Sequence, residues 1–339
     1  NNHSIIVIMD ISKNFIFSAK EVSSIDSLAI NDENISGFLL MKRAAEFSFD
    51  LTLKKYPNTK SFLVFCGTGN NAGDGYLFAS HAIKKGLDAS VIYLASPENL
   101  KGDALKAFVD LKSLGAKIVP WTKEYKFEAD IIIDAVFGIG LNRIIKDDYL
   151  ECIKAINASI KPVIAMDIPS GLCANTGREK GIAIKAEITF TFVGKKIGMY
   201  LESGPDCCGE IYFSNLSIPE NNYQTAKPSV EIVDDGLRNK ILGKRAKASH
   251  KGNFGHVLIV GGNKGMGGAA RIAAEAAIRS GAGLVSVITR PENVNLITRL
   301  RPEIMCHAAD EKFSNLKKII KKVDVIAIGP GLGIDEWAH

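Results

Sequence analysis

Four glycines, two amides and a carboxylate crowd the run CGTGNNAGDGYLFASHAI (66–83). Glycines 67, 69, 73 and 75 let a chain turn sharply and approach a ligand closely. A helix opening near Gly75 would aim unpaired N–H groups at that ligand, which makes an anion, and a diphosphate above all, the natural occupant. Two further aspartates, Asp134 in DIIIDAVFGIG and Asp167 in PVIAMDIPSG, each end an apolar run and precede a tight turn. Singly, such residues are more often caps or turn formers; together with Asp74 they bring three carboxylates to one edge. Carboxylates beside a diphosphate repel it unless a cation intervenes. Asn71, Asp134 and Ser170 offer mostly neutral oxygens and one carboxylate, which suits a monovalent cation better than Ca²⁺. Asp167 has no basic partner in its motif and is left for acid/base work.

The elements that must position these residues alternate. Candidate strands are FLVFC (62–66), ASVIYL (89–94), DIIIDA (130–135), PVIAMD (162–167) and EITFTFV (187–193). YLFASHAIKKG (76–86) and LKAFVDLKSLG (105–115) have helical spacing, and FSAKEVSSIDSLAI (17–30) and SGFLLMKRAAEFSFDLTLKK (36–55) read as two leading helices. Continuous apolar strands between helices predict a three-layer, Rossmann-like α/β fold with a parallel sheet covered on both faces. Its ligands would sit beyond the carboxyl ends of the strands. Gly67-x-Gly69-x-x-Ala72 also satisfies a relaxed dinucleotide fingerprint, but the second strand ends Tyr93-Leu94-Ala95, without the acid that holds a ribose. That weighs against a nicotinamide-dependent oxidoreductase.

Periodicity is lost after Phe213, and we place a first domain at 1–222, a linker at 223–245 and a second unit at 246–339. The second unit alternates again through GHVLIVGG, RIAAEAAIRSG, GLVSVITR, KFSNLKKIIKK and DVIAIGPG. It is short for an open α/β sheet, so an incomplete domain with a poorly packed sheet edge is expected.

With 46% hydrophobic and 23% charged residues the chain is globular rather than disordered. A net charge of +5 carried by scattered lysines gives no reason to expect nucleic acid. No apolar run is long enough to predict a membrane span. The six cysteines form no C-x-x-C pair and several lie in apolar runs, pointing to a reducing, cytoplasmic compartment. The six histidines lack ligand spacing, so no transition metal is expected. The start, NNHSIIVIMD, lacks Met and a basic leader region, which reads as a fragment.

GTGNNAGDGYLFASH resembles the GxGNNGGDGxxxAxx signature of the YjeF N-terminal family, the NAD(P)H-hydrate epimerases. DAVFGIGLNR and DIPSGL…NTG match its second and third motifs, and LLMKRAA its leading helix, in order over residues 15–220. The resemblance implies an isomerase acting on NADHX or NADPHX at the hydroxylated C6. Asn70, Asn71, Ala72, Gly73 and Asp74 would hold the dinucleotide, as would Gly138, Ile139, Gly140, Leu141, Asn142, Arg143 and Ile144. Asp167 would be the catalytic carboxylate nearest the ring, and Asn71, Asp134 and Ser170 would bind K⁺. Homologues imply a homodimer. Ala72 stands where the family has Gly, and its methyl would crowd the loop if the position needed positive φ.

SHKGNFGHVLIVGG, GGAARIAAEAAIRSGAGLV, RPE and GPGLGIDEW resemble the ADP-dependent NAD(P)HX dehydratase, a ribokinase-like fold. Ala269 and Gly333 would touch its NAD(P)HX ligand. In that family the segments for ADP or ATP and the catalytic glycine–aspartate motif lie further downstream. The intact protein is therefore expected to be a bifunctional isomerase and lyase, and this chain to lack the dehydratase activity. The competing reading from another class is a non-catalytic dinucleotide-binding scaffold, a role filled by related domains in RNA-decapping enhancers.

Overall fold

The computed structural model describes residues 15–32, 35–224, 226, 228, 230–299, 301–309 and 314–339. The start NNHSIIVIMD, on which the reading of a fragment rests, lies outside them, as do 225, 227 and 229 of the expected linker. The chain divides into two units, Asn1–Arg238 and Asn239–His339.

The first unit enters through a short strand, β1 (Phe15–Phe17), and two helices, α1 (Ala19–Asp32) and α2 (Gly37–Lys55). Strands and helices then alternate through β2 (Ser61–Cys66), α3 (Asn70–Lys84), β3 (Asp88–Tyr93), α4 (Gly102–Ser113) and β4 (Lys117–Pro120). Next come β5 (Ile131–Ala135), α5 (Asp147–Ala158), β6 (Val163–Met166), β7 (Ile188–Phe192) and β8 (Lys195–Lys196). The unit ends with α6 (Gly204–Cys208), β9 (Glu210–Ser214), α7 (Asn221–Gln224), β10 (Val230–Glu231) and the start of α8 (Asp235–Ile241).

Among the described residues, seven strands form one sheet in the order β4-β3-β2-β5-β6-β7-β9, every pair parallel. The central strands are apolar on both faces because both are covered. Phe62, Val64 and Cys66 of β2 join the core that holds Phe49 of α2, Phe78 of α3 and Leu111 of α4. Their alternates Leu63 and Phe65 face the other way, with Cys152, Ile153 and Ile156 of α5. Phe78 meets Phe62 edge-on at 5.2 Å and Phe49 at 5.5 Å, the tilted geometry aromatic quadrupoles favour.

Strand order reverses between β2 and β5, and in open α/β sheets the crevice beyond that reversal is where ligands bind. The loop after β2, the loop after β5 and the end of β6 therefore converge on one edge.

One expectation needs correction. The helix after β2 opens at Asn70, not near Gly75. Gly75 lies inside it as a packing residue, since a Cβ there would stand 2.6 Å from the Ala135 Cβ and 3.0 Å from the Cys66 Sγ. The stretch expected to be linker carries structure of its own. Its β10 pairs antiparallel with β1, which pairs parallel with β8, making a small sheet beside the main one.

The second unit runs β11 (His256–Val260), α9 (Gly267–Ser280), β12 (Leu284–Thr289), α10 (Val294–Thr298), β13 (Met305–Ala308), α11 (Ser314–Ile320) and β14 (Val325–Ile328). Among the described residues its sheet is four-stranded and parallel, in the order β13-β12-β11-β14. Ile259, Val285 and Val287 pack on Ala270 and Ala274 of α9, while the edge strand β14 leaves Val325, Ile326 and Ile328 exposed. Among the described residues, no helix is long and apolar enough to cross a membrane.

Candidate active site at the sheet crossover

Beyond β2, β5 and β6 lies a cleft of about 630 Å³. Asn70, Asn71 and Asp74 line it from α3, Gly138, Ile139, Gly140, Leu141, Asn142 and Arg143 from the loop after β5, and Asp167 from the end of β6. Gly69 opens α3 without a side-chain cap, and a Cβ there would meet nothing within 4 Å. The helix N-terminus is thus bare toward the cleft, where its dipole favours an anion.

Not every expected residue reaches this space. Ala72 is buried in the first turn of α3 at ordinary negative φ, so its methyl is accommodated and does not crowd the loop. Gly73 faces away, where a Cβ would stand 2.6 Å from the Met41 Cε and 3.2 Å from the Ala104 Cα. It lets α3 pack closely on α2 and α4. Ile144 is 63% exposed and lies outside the cleft lining.

Beneath the cleft floor sits a buried polar cluster. Asp134 is fully buried and accepts from the Ser170 hydroxyl at 2.6 Å, the Ser170 N–H at 2.7 Å and the Val136 N–H at 3.2 Å. The Ser170 Oγ accepts in turn from the Phe137 N–H at 2.8 Å. Burial pushes the Asp134 carboxyl up to about 6, against the opposing pull of the Ser170 and Val136 hydrogen bonds. Asn71 donates its Nδ2 to the Phe137 carbonyl at 3.0 Å, but its Oδ1 is buried without a hydrogen-bond partner among the described residues. A buried oxygen with no donor is costly unless a cation meets it. This donor set of amide, hydroxyl and carboxylate oxygens fits a monovalent cation. Among the described residues no group of three or more His, Cys, Asp or Glu is arranged for a metal ion.

Asp167 is not without a basic partner, and the reading of its motif is corrected here. Lys196 of β8 is fully buried and its Nζ donates to the Asp167 Oδ1, to the Thr191 Oγ1 at 2.9 Å and to the Phe192 carbonyl at 3.0 Å. Asp167 itself takes a left-handed backbone (φ +65°), pinned by its N–H to the Phe190 carbonyl at 2.7 Å. Three more carboxylates line the same space, Asp26, Asp74 and Asp103. Burial, then the charge of Asp167, raises the Asp26 carboxyl of α1. Burial, then Asp167 and Asp26, raises the Asp74 carboxyl well above the ordinary range.

The comparisons with known proteins agree on both units. Residues 38–198 match the model of the YjeF-related protein N-terminus, and residues 257–339 that of the NAD(P)H-hydrate dehydratase. The bifunctional NAD(P)H-hydrate repair enzyme Nnr of Coxiella burnetii is 38% identical over 326 residues, 95% of this chain and 66% of its own length. That of Vibrio cholerae is 37% identical over 323 residues, 95% of this chain and 65% of its own length. Residues 38–198 thus form a YjeF-related region and residues 257–339 a dehydratase-related one. The chain spans somewhat less than two thirds of these relatives' lengths. The solved yeast protein YNL200c shares the fold, with a TM-score of 0.53 at 19% identity over 65% of this chain and 95% of its own.

Sequence reasoning missed Asp26 and Asp103, which line the cleft, and Lys196, buried behind Asp167. The only sequence signal for Lys196 was a lysine pair directly after a strand otherwise buried throughout.

In the second unit, the expected Ala269 and Gly333 flank one loop system. Gly333 (φ +79°) approaches Asn263 and Met266, and neighbouring Gly331 approaches Met266 and Ala269. Asn263 donates to the Leu332 carbonyl at 2.9 Å and to Asp335 at 2.6 Å, and accepts from Arg290 at 2.8 Å, so the two glycine loops are tied together. All six cysteines of the chain are free thiols.

Proposed function

We propose that the YjeF-related unit is an NAD(P)H-hydrate epimerase, interconverting the R and S forms of NADHX or NADPHX at C6 of the hydrated nicotinamide ring. The observation that carries this reading is the meeting of three segments in one cleft: the start of α3, the Gly138–Arg143 loop and Asp167. Family resemblance assigns the first two to the dinucleotide and the third to the ring. The volume of about 630 Å³ lies within the usual range for small-molecule sites. The bare helix N-terminus and Arg143 would receive the diphosphate. The named activity of the Nnr relatives supports the same substrate class.

Asn71, Asp134 and Ser170 would hold K⁺, whose charge would let a diphosphate lie near Asp74 and Asp167. Asp167 would accept the proton of the C6 hydroxyl. As it does, the C6–N1 bond would break, the ring nitrogen keeping the electron pair and C6 becoming an aldehyde; N1 would then add to the opposite face of that carbonyl and Asp167 would return the proton to the oxygen. By the alternative route Asp167 in its acid form would give its proton to the departing hydroxyl, the ring nitrogen supplying the electron pair, and would take a proton back from water adding to the opposite face of C6. Dehydration of S-NAD(P)HX with ADP or ATP is proposed for the whole protein, with Ala269 and Gly333 contacting NAD(P)HX in the second unit.

The test follows purified R- and S-NADHX by chromatography in KCl and in choline chloride. Interconversion that conserves total hydrate and is faster in K⁺ is expected. Binding without interconversion would overturn the catalytic reading in favour of a scaffold.

A further inference from the structure

The acid/base group of the cleft stands on a lysine that none of the sequence motifs contains. An ammonium has three N–H donors, and all three of Lys196 are used: on the Asp167 Oδ1, the Thr191 Oγ1 and the Phe192 carbonyl. Two of these acceptors belong to β7, paired on both sides within the sheet, so Nζ is anchored independently of Asp167. A buried charge is retained only where its geometry and hydrogen bonds are complete, and here they are.

The other end of the pair is held just as firmly. The Asp167 N–H bonds to Phe190 of the same strand, and its left-handed φ is one that a short polar side chain tolerates. Its two carboxylate oxygens therefore differ. Oδ1 is taken by Lys196, while among the described residues Oδ2 receives no hydrogen bond. Oδ2 lies 3.7 Å from where a Cβ on Gly138 would stand, beside a loop that lines the cleft. Asp26 from α1, Asp74 from α3 and Lys196 from β8 interact with Asp167, and Asp103 from α4 and Arg143 from the loop after β5 line the same cleft.

We infer that Lys196 is the positioning residue of the proposed epimerase: it fixes Oδ1 of Asp167 and leaves Oδ2 as the atom that takes and returns the substrate proton. The inference rests on reading the cleft as an epimerase site. Lys196 does not touch substrate and acts through Asp167.

The test uses the full chain with R-NADHX, comparing wild type, Lys196→Met, Asp167→Asn and the double variant. Lys196→Met is expected to lower kcat by about a hundredfold, as misplacement of a catalytic group does, with KM little changed. The acid limb of the kcat profile should move as well, because the charge beside the acid/base group is removed. In the Asp167→Asn background, Lys196→Met should cost nothing further. If Lys196→Met does not fold, Thr191→Val, which removes one anchor of Nζ, supplies the same kcat and pH readings. An unmoved acid limb in a folded variant, or losses that multiply in the double variant, would overturn the inference while leaving the epimerase reading intact. A wild-type chain that binds R-NADHX but never interconverts it would overturn both.

Discussion

Replacing Ser170 by alanine should loosen the cleft floor by an amount that depends on pH. Two hydrogen bonds are lost: the donation to Asp134 at 2.6 Å and the acceptance from the Phe137 N–H at 2.8 Å. A bond to an ionised carboxylate is worth about 1.5–3 kcal/mol, and a stranded N–H that water can partly reach costs about 1 kcal/mol. The expected loss at pH 7.5 is therefore about 3 kcal/mol. Asp134 sets the pH dependence. Its folded value is raised from 3.8 to about 6, so its burial destabilises the ionised fold. Stability from this group is full below pH 3.8 and declines as pH rises through about 6, by about 3 kcal/mol in all. At pH 5 the carboxyl is mostly protonated and the Ser170 bond is a neutral one, worth about 1 kcal/mol. The loss on substitution should then fall to about 2 kcal/mol. Urea unfolding in potassium-free buffer measures this. The chain has two tryptophans, and Trp337→Phe leaves Trp121, packed 6.0 Å from Phe65, as sole reporter of the YjeF-related unit. A loss that is equal at both pH values, or larger at pH 5, would refute the assignment of an ionised Asp134 at neutral pH.

Other outcomes follow from the same geometry. Gly73→Ala forces a methyl against Met41 and Ala104 and should cost about 1–3 kcal/mol, read as a lower Tm. Gly69→Ala meets nothing within 4 Å among the described residues and should leave the unfolding free energy within about 0.5–1 kcal/mol of wild type, while weakening NADH binding measured by calorimetry. Asn71→Ala removes the orphaned Oδ1, and the Tm difference between KCl and choline chloride at equal ionic strength should vanish. Asp74→Asn should raise Tm more at pH 8 than at pH 5, because a carboxyl with a raised folded value withdraws stability as pH rises.

The sheet and the three strand-end segments were legible because their signals are local. Each apolar run names a strand, and Asp134 and Asp167 stand at or just beyond the ends of theirs. Lys196 was illegible because its partner arrives from a different strand 29 residues earlier, a pairing no local pattern encodes. Asp26 looks like any polar position of an amphipathic helix until α1 is placed over the cleft. The helix start was misplaced for another reason. Glycine can serve backbone approach, close packing or ligand access, and one letter does not say which. Gly73 and Gly75 serve packing, and Gly69 alone of the three opens on the cleft. β1 and β10, three and two residues long, fall below any periodicity.

The small β10-β1-β8 sheet ties the strand bearing Lys196 to distant parts of the chain. Phe17 is in register with Lys196, and Phe15 with Glu231, so segments from the beginning and end of the YjeF-related unit meet at the strand bearing the lysine. That ribbon works as a clasp. Fusions, nicks or binding peptides near residue 15 would tug on β8 and report as slowed turnover in a protein whose melting curve is unchanged.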